Sequence, residues 1–269
     1  MDLATVGGLL IAIFSVIGAT IIKGLPLYKL FEPGALLLIL GGTFGATMLS
    51  FSMTEIKNLP KILIQAFKET EIDPTGIINT LVRFAEKARR EGLLVLEDDA
   101  AKLEDKFLQK GIQLVVDGTD MELIRSILQT ELAFLEERHK IGENFFMTMG
   151  GFAPTLGVLG AVVGLIVALW KGGGDPVAVA KGISVAFLAA FYGIGSANVI
   201  FIPIANKLRL KSSREILLRE VMIEGILSIQ AGDNPRIVEE KLKAFLPPAM
   251  RQQIKGRGAR EITEEGERA

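Results

Sequence analysis

The sequence predicts an all-α membrane protein: four transmembrane helices, a helical cytoplasmic domain between spans 2 and 3, and a helical cytoplasmic C-terminal region. Three observations predict it. Residues 145–170 and 182–206 contain no charged residue, and each stretch exceeds the about 20 residues a spanning helix needs. Apolar residues make up 49% of the chain and charged residues 23%. Those charges are segregated, so long uncharged runs alternate with strongly polar ones. Finally, the polar segments repeat their apolar residues at helical spacing, and no strand-like alternation competes with it.

The remaining composition excludes several classes. The 269 residues are enough for one or two domains, and a formal net charge of −1 gives no support for nucleic-acid binding. There is no cysteine, so disulfides, thiolate metal sites and Cys catalysis are excluded, and the one histidine, His139, leaves little material for a His-based metal site or a Ser-His-Asp triad. The Gly172-Gly173-Gly174 run lacks the Gly-Lys-Ser/Thr ending of a phosphate cradle. No enzyme, cofactor or metal is expected.

Taken in order, Leu3–Ile22 is an uncharged run of spanning length. No Lys or Arg precedes it, so it reads as a retained helix and not a secretory signal. Residues 33–53 form the second span, and residues 1–53 make an antiparallel hairpin. Residues 54–144 form the first cytoplasmic domain. In it Asp73-Pro74 starts a helix, Gly92 ends it, residues 93–116 read as one further helix, and Asp117-Gly118 is a turn. Thr119 with Glu122 matches a capping box. From there the pattern runs unbroken into Phe145, so the third span continues a cytoplasmic helix. Residues 145–206 form a second hairpin, with spans over about 145–170 and 178–204 and a loop over 171–181. Residues 207–253 are helical, with a break at Gly232 and a new start at Asn234-Pro235. Residues 254–269 read as a disordered tail. Lys and Arg concentrate beside the inner ends of the spans, which places both termini in the cytoplasm.

The third and fourth spans carry the candidate chemistry. Gly157, Gly160, Gly164, Gly182, Ala186, Ala189, Gly193 and Ala197 stand three or four apart, the spacing that lets helix backbones approach. Pro154 and Pro203 each remove an amide from the helix ladder and bend it. Thr155, Ser184, Tyr192, Ser196 and Asn198 are the polar residues. Thr155 and Ser184 either hydrate an ion or bond their own backbone, and the second is commoner. No span has an ionisable group in its interior, although intramembrane ion transfer ordinarily uses one. An ion path along this hairpin therefore needs a carboxylate from a partner. In the cytoplasmic part Arg89, Arg90, Glu91, Glu97, Asp98 and Asp99 surround the Gly92 break. They are either a solvated corner or an electrostatic docking surface.

These segments resemble the MotA/PomA family of flagellar motor stator proteins. The resemblance rests on the opening Met-Asp-Leu-Ala-Thr, AEKARREGLLVLED over 85–98, FLQKGIQLVVDG over 107–118, Glu137-Arg138-His139, FAPTLGVLGAVVG over 152–164, and residues 192–207. It covers roughly residues 1–253. It implies a pentameric ring in the bacterial inner membrane around the helices of two MotB chains, whose aspartate carries the ion. It also implies a cytoplasmic domain that pushes on the rotor protein FliG. The family's two functional prolines fall on Pro154 and Pro203, and its rotor-facing charges on Arg89 and Glu97 with Arg90 and Asp98 beside them. The implied ion-path set is Pro154, Thr155, Gly157, Ala161, Ser184, Ala190, Tyr192 and Pro203. Sodium-type relatives carry threonines where Ala161 and Ala190 stand, so protons are expected over sodium, although the opening residues look more like the sodium type. A TolQ/ExbB-type energising subunit is the alternative. It predicts fewer spans before the cytoplasmic domain than the two read here. A passive membrane scaffold is a third reading.

Overall fold

The computed structural model describes residues 3–68, 73–172 and 174–251. Among them there is helix and no strand. The expected tail over 254–269 lies outside the described residues. The chain divides into two compact units, residues 1–70 with 137–211 and residues 71–136 with 212–269.

In the first unit, α1 spans Leu3–Ile22, and a 3-10 turn follows at Leu27–Leu30. α2 spans Pro33–Met48 and contains a wide π turn at Leu37–Gly41. Glu32 caps it, its carboxylate accepting the Ala35 amide. α2 stops five residues before the expected limit at 53, because Ser52 begins a new helix: its hydroxyl accepts the Glu55 amide and Glu55 accepts the Ser52 amide. That helix, α3, spans Met53–Phe67. The Lys211 ammonium closes its far end by donating to the carbonyls of Gln65 at 2.7 Å, Ala66 at 3.0 Å, and Lys68.

In the second unit, α4 spans Pro74–Glu91. Asp73 caps it as expected, accepting the Thr75 amide at 3.0 Å. Gly92 ends it at φ 90°, a left-handed value that glycine reaches without strain. The single helix expected over 93–116 is replaced by three pieces: a 3-10 turn at Leu93–Leu96, a one-turn α5 at Glu97–Ala100, and α6 at Lys106–Val116. Asp105 is the cause. Its carboxylate accepts the amides of Phe107 at 2.9 Å and Leu108 at 3.0 Å, which starts a new helix where the apolar pattern alone ran on. The same carboxylate meets Arg219 at 2.6 Å. The expected cap at Thr119 also moves by one: Asp120 accepts the amides of Glu122 at 2.9 Å and Leu123 at 3.3 Å.

Two long helices belong to both units. α7 runs unbroken from Met121 to Gly172 with Pro154 inside it. α8 runs over Pro176–Gln230 with a π turn at Ala197–Phe201, just before Pro203. The loop expected over 171–181 is far shorter. Asp175 accepts the Val177 amide at 2.9 Å and Pro176 takes the first helical position, so Lys181 already lies in α8. Gly232 breaks the chain at φ 70°, Asn234 caps α9 at Pro235–Lys243, and a short α10 follows at Pro248–Arg251.

α1, α7 and α8 are long and apolar enough to cross a membrane, and α2 is a shorter apolar helix. The core of the first unit gathers Leu59, Phe145, Phe146, Met149, Ala153, Ala197, Phe201 and Ala205. Phe51 meets Phe145 edge-on at 5.1 Å between ring centroids. The core of the second unit gathers Ile78, Leu81, Phe84, Leu96, Ile112, Leu128, Met222 and Ile226, among others.

Candidate functional site

α7 and α8 meet along the small residues that the sequence spacing singled out. A methyl group on Gly157 would stand 3.1 Å from the Ala189 carbonyl oxygen, 3.2 Å from the Gly193 Cα and 3.3 Å from the Ala190 Cα. One on Gly193 would stand 2.5 Å from the Ala153 carbonyl oxygen and 2.8 Å from the Gly157 Cα. The approach at Gly193 leaves no room for a methyl group unless the backbone shifts, and that at Gly157 is tighter than ordinary contact, which is the close helix contact that small residues permit in lipid. The structure therefore brings Gly157 and Ala190 together. Ala161 lies one turn from Gly157 on the same helix face, and it is half-buried, as are Pro154 and Ala190.

The polar residues of the hairpin bond their own helices. Thr155 donates to the Phe152 carbonyl at 2.8 Å, Ser184 to Ala180 at 3.0 Å, and Ser196 to Gly193 at 3.2 Å. Asn198 donates to Ile194 at 2.9 Å. Thr155 and Ser184 are exposed on the wall, and so is Pro203. Both can turn a lone pair outward without surrendering that bond, because a hydroxyl donates once and accepts twice. Tyr192 is used differently. Its hydroxyl donates to the Leu30 carbonyl and accepts the Glu32 amide at 3.1 Å, so it fastens the start of α2 to α8. Two threonines escaped the sequence reading. Thr43 and Thr47 are fully buried in α2. Thr47 donates to the Thr43 carbonyl at 2.7 Å, while the Thr43 hydroxyl has no partner among the described residues. Nothing in their apolar context distinguishes them from ordinary helix packing.

The charges around Gly92 fall in the second unit. Arg89 and Arg90 end α4, Glu97 and Asp98 open α5, and all four are exposed around Gly92. Beneath them Lys87 bonds Asp99 at 2.7 Å, each side chain about one-third exposed. That hydrogen bond holds the Asp99 carboxyl below its ordinary range and raises the Lys87 ammonium. Leu96 and Ala100, both at 0% exposure, anchor the same corner from the core side. Among the described residues no group of His, Cys, Asp or Glu could hold a metal ion.

Comparison with known proteins follows this geometry. Residues 99–221 match the model of the MotA/TolQ/ExbB proton channel family, and residues 6–92 match that of the motility protein A N-terminal region. The chain is 40% identical over 248 residues to motility protein A of Bacillus subtilis (strain 168), covering 92% of each chain. It is 35% identical over 246 residues to chemotaxis protein PomA of Vibrio alginolyticus, covering 91% of this chain and 96% of that one. A chain in the flagellar MotAB stator complex from Bacillus subtilis superimposes with a TM-score of 0.87 at 39% identity, covering 93% of this chain and 99% of that one.

Proposed function

We propose, because the chain belongs to the motility protein A family and is a flagellar stator ion-channel subunit, that it couples a proton current to torque on the flagellar rotor. It is a multi-pass membrane protein. On our reading it lies in the inner membrane with both termini cytoplasmic and forms a homopentameric ring around a MotB-type partner. That partner's membrane aspartate carries the ion. The observation that carries this reading is the α7–α8 wall: it is built of closely packed small residues and, among the described residues 145–170 and 182–206, contains no Asp, Glu, Lys, Arg or His. Pro154, Thr155, Gly157, Ala161, Ser184, Ala190 and Pro203 shape it, and Tyr192 secures it to α2. Arg89, Arg90, Glu97 and Asp98 face the rotor protein FliG. The match of residues 6–92 to a motility protein A N-terminal model supports this reading over a TolQ/ExbB-type energiser.

Pro154→Ala restores the amide that the Gly150 carbonyl lacks and so stiffens the α7 ladder at the wall. The expected outcome is lost swimming with the protein still assembled in the membrane; tethered-cell rotation at wild-type torque would overturn the role given to this helix. The choice of ion has its own measurement. Ala161 and Ala190 offer no hydroxyl to coordinate sodium, so swimming speed at fixed proton motive force is expected to be flat against external sodium. A steep sodium dependence would reverse that assignment.

A further inference from the structure

We propose that the groove between α2 and the α7–α8 hairpin binds an anionic phospholipid of the surrounding membrane. The groove holds about 1090 Å³. Its walls include Ala35 and Leu38 of α2, Val163 and Val167 of α7, and Val185 and Ala189 of α8. Glu32, Lys171 and Lys181 are its charged residues. The Glu32 carboxylate is engaged at the start of α2, where it accepts the Ala35 amide. Lys171 ends α7 and Lys181 stands in the second turn of α8. Both are exposed, and among the described residues neither belongs to an ion pair. With two lysines against one carboxylate, the net charge lining this apolar groove is positive.

The length of α2 explains why the groove is open. Its 16 residues rise about 24 Å, short of the about 30 Å thickness of a bilayer's hydrocarbon. α7 and α8 are long enough to cross and carry the lysines near their joined ends, whereas α2 is the shorter apolar helix. A helix laid over the groove would bury two ammonium groups beside the single Glu32 carboxylate, which is costly unless that helix brings carboxylates of its own. An anionic lipid satisfies both requirements: its acyl chains lie along the valines and its phosphate meets the lysines. This inference does not depend on which ion the wall conducts or on what the Arg89 corner touches.

The test uses the full chain in its purified assembly, reconstituted in nanodiscs of phosphatidylcholine with and without phosphatidylglycerol. Lipid retained after transfer to detergent is read by native mass spectrometry. Wild-type protein is expected to retain phosphatidylglycerol in preference to phosphatidylcholine. Lys171→Gln with Lys181→Gln is expected to weaken that retention about thirtyfold, as the loss of two lysines facing an anionic lipid predicts. Lys171→Arg with Lys181→Arg is expected to preserve it. Val163→Trp fills the groove and is expected to expel the lipid with both lysines in place. Equal retention of the two lipids by wild-type protein would overturn the proposal, as would undiminished retention by the glutamine variant. A photo-crosslinker at Val163 that captures a protein chain in place of lipid would overturn it as well. If the glutamine variant does not assemble, the wild-type preference and the Val163→Trp variant decide the matter.

Discussion

The two compact units are held together by different kinds of contact. In the second, large side chains fill the core: Phe84, Leu81, Ile112, Met222 and Ile226 are all at or below 1% exposure. Its close glycines meet the tips of side chains, Gly225 facing Leu81 and Gly111 facing Ile226. In the first unit, α7 and α8 meet backbone to backbone along Gly157, Gly164, Gly182 and Gly193, and beside that seam large residues turn away, whereas Phe145, Phe146 and Phe201 are buried in the unit's aromatic core. Val158, Ile166, Phe187 and Ile194 are all more than half exposed there. The difference follows from the solvent. In water, removing large apolar groups from solvent drives packing. In lipid that gain vanishes, so helices associate through close contact between small residues, and the bulky ones face the acyl chains.

Three measurements break or sharpen this contrast. The largest effect is expected from Phe84→Ala, which empties a fully packed site in the water-facing core and costs about 3–5 kcal/mol. Thermal unfolding followed by circular dichroism reads it; a loss no greater than that of a surface substitution would erase the contrast. Next is Gly193→Ala. Its added methyl meets the backbone of α7 and not a flexible side chain, so the seam must open, at about 1–3 kcal/mol. Gly7→Ala is the control, because nothing lies within 4 Å of that position. Equal stability of the two variants in detergent would show that the seam is looser than its geometry.

The smallest effect belongs to the Lys87–Asp99 pair. The Asp99 carboxyl is held below its ordinary 3.8, so its contribution is present above that pH and is lost as the pH falls through the folded value. The Lys87 ammonium is raised above its ordinary 10.5, so its contribution is present below that pH and is lost as the pH rises through the folded value. The stability difference between wild type and Asp99→Asn is therefore expected to be level across roughly pH 5 to 9 and to vanish in acid. A difference that persists in strong acid would mean the substitution acts through packing.

Much of the fold was legible because its boundaries are local. Asp73-Pro74, Gly92, Asp117-Gly118, Gly232 and Asn234-Pro235 are signals of one or two residues, and each marks the boundary expected of it. Asp175-Pro176 is the same signal as Asp73-Pro74, but an apolar run beyond it drew the expected helix start too late. Residues 93–116 misled in the opposite way. Their apolar spacing continues through a real break, and the break depends on Asp105 acting as a cap, which periodicity does not register. The seam was legible for a different reason: glycines and alanines at steps of three and four have few uses other than close approach. Tyr192 was not, because the partners of its hydroxyl are backbone groups 160 and 162 residues away. A residue's own neighbours say nothing about so distant a bond.

The wide turn at Ala197–Phe201 solves a problem of phase. Four residues of an α-helix overshoot one revolution by about 40°. Gly193, Ala197, Phe201 and Ala205 are spaced by fours, and a regular helix would swing the last of them about 120° away from the first. All four are nevertheless buried. A wide turn advances fewer degrees per residue and winds the helix back, as a vernier brings two scales into register. The consequence is a site in α8 that tolerates a change in chain length. A one-residue deletion within 197–201 would relax the wide turn into a regular one and leave the later residues in place. The same deletion a turn further on would rotate everything beyond it by about 100°.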